Sequence, residues 1–454
     1  MLTIQIPDYV RKQLTIATIL YVGNIVVGYG VGWSSPVVVK LQDLDQSPLP
    51  EVISTETSSW VGSIFLLGIF LGPNITGSLS NIIGRKWCMI LGGCINIAAL
   101  IILALSSNLA MVLTGRLVSG IGSVMILITN VVYIGEIAST NLRGVILTGT
   151  GVMHALGILL VYLVGPNVQY SVVSYVLLAM GAFHVFGALC LPESPVFYLL
   201  KGNEEAAKNS LRELGRGKDV EKEIKSISEN TKEFEDKKAS VKELFTVKSN
   251  RISLLLTSVL FILQLGNGTT ASLFFAETIF RAAGASVDSY LSTIIVGLTQ
   301  LVGALTVPLL IEKAGRKTLT LISLGGCSVG MALLGTYFYL DEDTADGLGW
   351  LPLVAFVLSV FCYSIGLNIT PNTFTGEMFK ANVRSVGSAF AISIGSLSGL
   401  LTVTTYGYLI TAVGEAITFW IYTVINVLGF VFTVILVPET KGMTLAEIEK
   451  MLSK

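Results

Sequence analysis

The 454-residue chain is 52% apolar and only 13% charged, with a mean hydropathy of +0.74 and a formal net charge of −1. A soluble domain carries about 25% charged residues, so this composition excludes that class. The balance of 29 basic against 30 acidic residues also argues against a nucleic-acid partner, which calls for a strongly basic face.

A bilayer-spanning helix needs roughly 20 apolar residues. In lipid, its backbone must be satisfied within its own segment. The apolar runs of the first half are 13–33, 58–80, 88–106, 109–134, 145–165 and 170–191. Those of the second are 252–275, 289–311, 319–340, 349–375, 386–412 and 415–437. The pattern predicts an all-α membrane protein with twelve transmembrane helices in two six-helix halves. The expected divisions are 1–195 and 251–437 for the halves, 196–250 for a short cytoplasmic helical segment between them, and 438–454 for a cytoplasmic tail. The first run follows a short charged-polar start with no small-residue cleavage site, which reads as a retained helix and not a signal peptide.

Motifs recur at matching places in the two halves. The second run ends in GSLSNIIGRK (77–86) and the eighth in PLLIEKAGRK (308–317). Gly84-Arg85-Lys86 therefore has its counterpart in Gly315-Arg316-Lys317. Glu136 and Arg143 lie seven residues apart after the fourth run, as do Glu377 and Arg384 after the tenth. Pro192-Glu193-Ser194-Pro195 follows the sixth run, and Pro438-Glu439-Thr440-Lys441-Gly442 follows the last. A six-helix unit has been duplicated, which is a common way to build alternating access around a central site.

Charge sets the expected orientation. Of the 29 Lys and Arg residues, 26 fall on one side, which the positive-inside rule makes cytoplasmic together with both termini. Lys40 and Arg281 fall on the other side, and Arg116 lies within a run. The stretch 196–250 holds 12 basic and 11 acidic residues. Within it Leu211, Leu214, Val220, Ile224 and Ile227 recur at three- and four-residue steps, the mark of short amphipathic helices. The five cysteines and two histidines show no metal spacing, and no cofactor motif is present.

GSLSNIIGRK, GRLVSGIG (115–122), YIGEIASTNLRG (133–144), PESP, IEKAGRK and PETKG, in register on six plus six runs, together resemble the sugar porter branch of the major facilitator superfamily. GEMF (376–379) and the short loop after the first run are similar to insect facilitated trehalose and hexose transporters. The resemblance implies the major facilitator fold, no enzymatic activity, and a neutral sugar as substrate at the plasma membrane. It says nothing of oligomeric state.

The charged motif residues are expected to form a gate at the cytoplasmic face. Arg85, Lys86, Glu136, Arg143 and Glu193 would pair across the gap between the halves, and with helix termini, against Glu312, Arg316, Lys317, Glu377, Arg384 and Glu439. The family's acid in the first Gly-Arg-Lys loop is Asn81 here. For the substrate, the resemblance implies contacts from Gln264 and Gln300, with Thr270 and Asn372 as substitutes at two further positions. The family's second Gln of the seventh run is Leu265, and the Asn of its eleventh is Gly395. These losses keep two other readings open: a non-transporting sugar receptor, and a carrier of another small neutral or organic solute.

Coupling is expected to be absent. In the family's proton symporters a carboxylate follows the Gly-Tyr pair of the first run, near the arginine that is Arg116 here. In this chain Gly28-Tyr29 is followed by Gly30, and the first run holds no Asp or Glu. The expectation is a facilitative uniporter in which backbone carbonyls or polar side chains hold Arg116 near the outer vestibule.

Overall fold

The computed structural model describes residues 7–216, 220–236, 241–284, 287–340, 346–379, 383–443 and 445–453. Among them, ten helices are long and apolar enough to cross a bilayer, and the bent helix Thr55–Ile83 makes eleven. The longest, Val386–Leu436, has 51 residues. At 1.5 Å per residue it would reach far past a hydrocarbon core of about 30 Å. Gly414 (φ 83°, ψ 169°) interrupts it and divides it in two. The structure thus has twelve spans, as the sequence predicts.

The first half consists of Asp8–Gly32 continued by Ser34–Leu41, then Thr55–Ile83, Arg85–Ala104, Leu109–Ile137, Thr140–Val164 and Tyr170–Leu189. Capping fixes several starts. Ser54 Oγ accepts from Thr57 N, and Asn108 Oδ1 accepts from Met111 N, each meeting an orphan donor of a helix N-terminus. The second half consists of a three-piece seventh span, Ser289–Ala314, Arg316–Tyr339, a two-piece tenth span and the two helices on either side of Gly414.

The sequence predicts the seventh and tenth spans as continuous helices, and the structure breaks both. The seventh runs Lys248–Gly266, Thr269–Phe274 and Ala276–Ala282. At the first break the Asn267 side chain accepts from Thr269 N (2.9 Å), and Asn426 of the twelfth span donates to Asn267 O (2.9 Å). The tenth runs Leu351–Ile365 and Thr370–Met378. Pro371 stands in the first turn of the second piece and has no N–H to continue the helix back across the break, and Ser323 Oγ accepts from the loosened Leu367 N (3.1 Å). Non-helical backbone at membrane depth is tolerated only where protein or a cavity satisfies it. Here polar side chains of neighbouring spans do so.

The polar stretch between the halves forms the helices Pro195–Leu200, Glu204–Glu213, Val220–Asp236 and Val241–Thr246. Ala207, Leu211 and Ile224 make a small core of their own, while Leu214 packs into the core of the first half. Leu244 packs against Phe379 and Val383 of the second half. The segment therefore touches both halves on the face where the chain's basic residues gather, called the basic face below.

The halves meet in one large apolar cluster that includes Trp33, Phe65 and Tyr162 from the first and Phe274, Phe356 and Phe419 from the second.

Candidate functional site

Two charged clusters lie at the basic face, one in each half, with the same construction. In the first, Gly84 (φ 99°) ends the second span and starts the third. The Glu193 carboxylate accepts from Arg85 N (2.9 Å), Lys86 N (3.2 Å) and Ser194 N (2.8 Å), and so caps the third span. In the second, Gly315 (φ 90°) plays the part of Gly84. Glu439 there accepts from Arg316 N (3.0 Å), Lys317 N (3.1 Å) and Thr440 N (3.0 Å). A positive φ favours glycine. A Cβ at Gly84 or Gly315 would also strike the capping carboxylate, at 2.2 and 2.5 Å respectively. Burial pushes the Glu193 carboxyl above its ordinary range, against the opposing pull of these amides and the Arg85 guanidinium.

The arginine side chains then close the clusters. Arg85 grips Glu136 with Nε (3.0 Å) and Nη2 (2.8 Å), and Ser194 Oγ donates to the same carboxylate. Arg316 Nε binds Glu377 at 3.0 Å, and Thr440 Oγ1 donates to Glu377 at 2.5 Å. The sequence leads one to expect pairs across the gap between the halves. The described pairs instead close within each half, because Gly-Arg-Lys starts one helix directly beside the end of the next span of the same half. Asn81 does meet Arg85, through Oδ1 at 3.3 Å from Nη1. The side chain of its counterpart Glu312 lies outside the described residues. Lys86 sits with Nζ 5.9 Å from the Trp87 ring, and Lys317 Nζ donates to Val434 O (2.9 Å).

Arg143 and Arg384 occupy equivalent places as well. Arg143 Nη2 donates to Ala138 O (3.3 Å) and Arg384 Nη2 to Phe379 O (3.4 Å), while the Nε of both is buried without a partner. Arg216 of the connecting segment donates to the last carbonyls of the fourth span, Glu136 O and Ile137 O.

Hydrogen bonds between the halves are found at the other end of the molecule. Tyr162 Oη donates to Leu273 O (2.7 Å), Tyr290 Oη to Leu163 O (3.2 Å), and Glu277 N to Ser35 Oγ (3.1 Å). Gly407 N donates to Ser59 Oγ (2.8 Å) and Trp60 Nε1 to Tyr408 Oη (3.1 Å). All five join span ends remote from the basic face. The molecule is therefore held shut at that end, and no described hydrogen bond crosses between halves at the basic face.

At mid-depth, the seventh and tenth spans meet at their breaks. Gln264 Nε2 donates to Asn368 O (2.9 Å), a carbonyl freed by the tenth-span break. Thr270 stands beside Tyr363 without a well-directed hydrogen bond. Gln300 is 4% exposed, and its Oε1 has no partner. Asn372 is exposed, one turn beyond Asn368. The sequence singles out Gln264 but not its partner strand of backbone. The Gly-Asn-Gly and Gly-Leu-Asn-Ile-Thr-Pro sequences inside apolar runs are the signal that marks these breaks.

Arg116 is 1% exposed. Its Nη1 donates to Gly30 O (2.8 Å), Nη2 to Ser34 Oγ (2.8 Å) and Nε to Val61 O (3.2 Å). The Phe65 and Trp33 rings lie 4.3 and 4.9 Å from its guanidinium carbon. A buried charge needs such compensation, and carbonyls, a hydroxyl and two π faces supply it. Glu277, the acid toward the far end of the seventh span, is paired with Arg281 at 2.9 Å.

The sequence profile of the family described as Sugar (and other) transporter matches residues 16–452. Among curated relatives, the facilitated trehalose transporter of Polypedilum vanderplanki is 30% identical over 98% of this chain and 88% of its own. The facilitated trehalose transporter of Anopheles gambiae is 29% identical over 98% of this chain, which spans 56% of that protein. Among solved structures, the inward open xylose transporter XylE from E. coli superposes with a TM-score of 0.82 at 22% identity, covering 97% of this chain and 99% of its own. XylE bound to 6-bromo-6-deoxy-D-glucose gives 0.78 at 22% identity, with the same coverage.

Proposed function

The chain belongs to the Sugar (and other) transporter family, and on that premise we propose that it is a facilitative uniporter of a neutral sugar, a hexose or trehalose, at the plasma membrane. The observation that carries the uniport reading is the setting of Arg116. Its three described hydrogen-bond partners are neutral, and the residue after Gly28-Tyr29 is Gly30, which offers it a backbone carbonyl and no side chain. A proton that binds the two conformations equally drives nothing. The relatives' trehalose transport supports the sugar class.

In this reading the basic face is cytoplasmic, with both termini inside, and the opposite face is outer. The outer ends are closed in the structure, so the central site opens inward. Gln300, Gln264, Thr270 and Asn372 contact the sugar. Arg85, Lys86, Glu136, Arg143, Glu193 and their counterparts in the second half make the inner gate. Each half moves as a unit braced by its own cluster, and the half-satisfied Arg143 and Arg384 take partners across the gap when the inside shuts.

Sugar flux in sealed proteoliposomes tests the proposal. Transport runs down the sugar gradient, reverses with it, and stays flat between about pH 5.5 and 7.5, where a free carboxylate of ordinary pKa is already ionised. Uphill accumulation driven by an imposed proton gradient, and abolished by a protonophore, would refute it and point to Glu277.

A further inference from the structure

A cavity lies between the halves at the outer end, away from the Gln264–Asn368 seam. Its volume is 240 Å³, and its walls come from both halves. Gln42 and Ser59 stand on the first-half side, and Phe275, Thr278, Tyr406 and Glu415 on the other. The Phe275 and Tyr406 rings are stacked with centroids 4.9 Å apart. Thr278 Oγ1 is buried without a hydrogen-bond partner, which is costly unless something fills the role. Drug-sized ligands occupy pockets of about 300–1,000 Å³, so this cavity suits a smaller molecule.

We infer that this cavity is a regulatory site for a monosaccharide-sized neutral polyol arriving from outside. The aromatic wall offers a face for the C–H side of a pyranose ring. The Glu415 carboxylate accepts from sugar hydroxyls, the Thr278 hydroxyl completes an otherwise orphaned bond, and Gln42 reaches from the first half. No basic side chain lines the cavity, so an anion gains nothing there. Because the walls belong to both halves, the complete site exists only while the outer ends are together. Its occupant therefore favours the inward-facing state by its differential affinity, and external sugar slows its own entry at high concentration. The choice of ligand rests on the sugar-carrier reading, while the cavity is distinct from the site that carries that reading.

Accessibility labelling provides the test. Ala282 lines the mouth of the cavity and is exposed. Ala282→Cys is made with Cys94→Ser and Cys190→Ser and labelled from outside with an impermeant thiol reagent. D-glucose at ten times its Kd should slow labelling about elevenfold, following 1 + [L]/Kd. Thr278→Val and Glu415→Gln should each weaken that protection at fixed glucose, while Gln300→Ala should leave it intact. No protection by D-glucose at any tolerated concentration overturns the inference. So does protection that vanishes with Gln300→Ala, since it then reports the central site. Protection by choline but not by glucose also overturns it, because the aromatic wall and carboxylate would then be a cation site. Protection in a protein that moves no sugar would sink the carrier reading and leave this one standing.

Discussion

Placing the missing acid is the sharpest test of the uniport reading. Gly30 is buried in the first span, and the atoms nearest to a Cβ built there belong to Phe65 and Ser123, at 3.6–3.7 Å. Those are ordinary contact distances, so Gly30→Ala should fold and transport much as the parent does. Gly30→Asp adds a carboxylate beside a guanidinium whose Nη1 already binds the Gly30 carbonyl at 2.8 Å. A hydrogen bond to a charged group contributes about 1.5–3 kcal/mol. If that contact exists in one conformation and not in the other, the equilibrium between them moves by roughly ten- to 150-fold. The sign follows from the acid. The pair needs the ionised carboxylate, so it is intact while the acid is ionised and is lost when acidification protonates it. Exchange of labelled sugar in proteoliposomes should therefore be slow in Gly30→Asp at pH 7.5 and recover on acidification. Gly30→Ala and the parent should show no such recovery. A parent already strongly pH-dependent, or a well-folded Gly30→Asp with a flat profile, would show that the neutral setting of Arg116 is not what makes the carrier uncoupled.

Other perturbations separate structural from ligand-contacting groups. Gln300→Ala should weaken sugar binding about ten- to a hundredfold, the worth of one buried contact, at unchanged thermal stability. Gln264→Ala also strands the Asn368 carbonyl, so it should lower both affinity and thermal stability; equal stability in the two variants would deny the bracing role. Gly315→Ala should destabilise by about 1–3 kcal/mol from its backbone conformation (φ 90°, ψ 162°) alone, with the Glu439 clash added. Gly376→Ala, where a Cβ meets nothing within 4 Å, is the matched control for a melting measurement. Ser228→Cys should resist an impermeant reagent in intact cells and react after permeabilisation; equal labelling in both would reverse the orientation.

What could be read from the chain depended on the physical origin of each feature. Span number and the duplicated motifs were legible because hydropathy and chemistry at helix ends are local. Pairing was not. Arg85 and Glu136 are 51 residues apart, and the sequence does not say whether an arginine at a helix end turns toward its own half or the other. The capping role of Glu193 and Glu439 was equally hidden, since PESP and PETKG lie far along the chain from the amides they satisfy. The broken seventh and tenth spans were masked by their strongly apolar flanks, although Gly-Asn-Gly and the Pro371 context carried the signal. The neutral partners of Arg116 accompany the lack of any acid in the first run. The outer cavity left no trace, because its walls come from six separate spans that only tertiary packing brings together.

The arrangement of charge in the two halves has a mechanical consequence. On the basic face, the described ion pairs of the clusters stay within one half, so they stiffen each six-helix unit and set no energy between the units. The outer seam is the reverse: five described hydrogen bonds cross it, all between neutral groups, two of them to backbone carbonyls and two from backbone amides. At a net contribution of about 0.5–1.5 kcal/mol each, they sum to a few kcal/mol, the scale on which two conformations of a carrier remain in exchange. Charged pairs in their place would have added a dependence on salt, which screens exposed pairs. The seam is not wholly neutral, because Glu56 stands against Thr411 and Lys40 near Glu277 at the same end, so the neutral bonds free only part of it from that dependence. The inward-closing contacts fall to Arg143 and Arg384, the two arginines that the structure leaves half-satisfied. The duplicated unit thus divides its work. Ionic clusters of the same construction keep each half rigid, and the contacts at one end and the half-satisfied guanidinium groups at the other settle which side of the molecule is open.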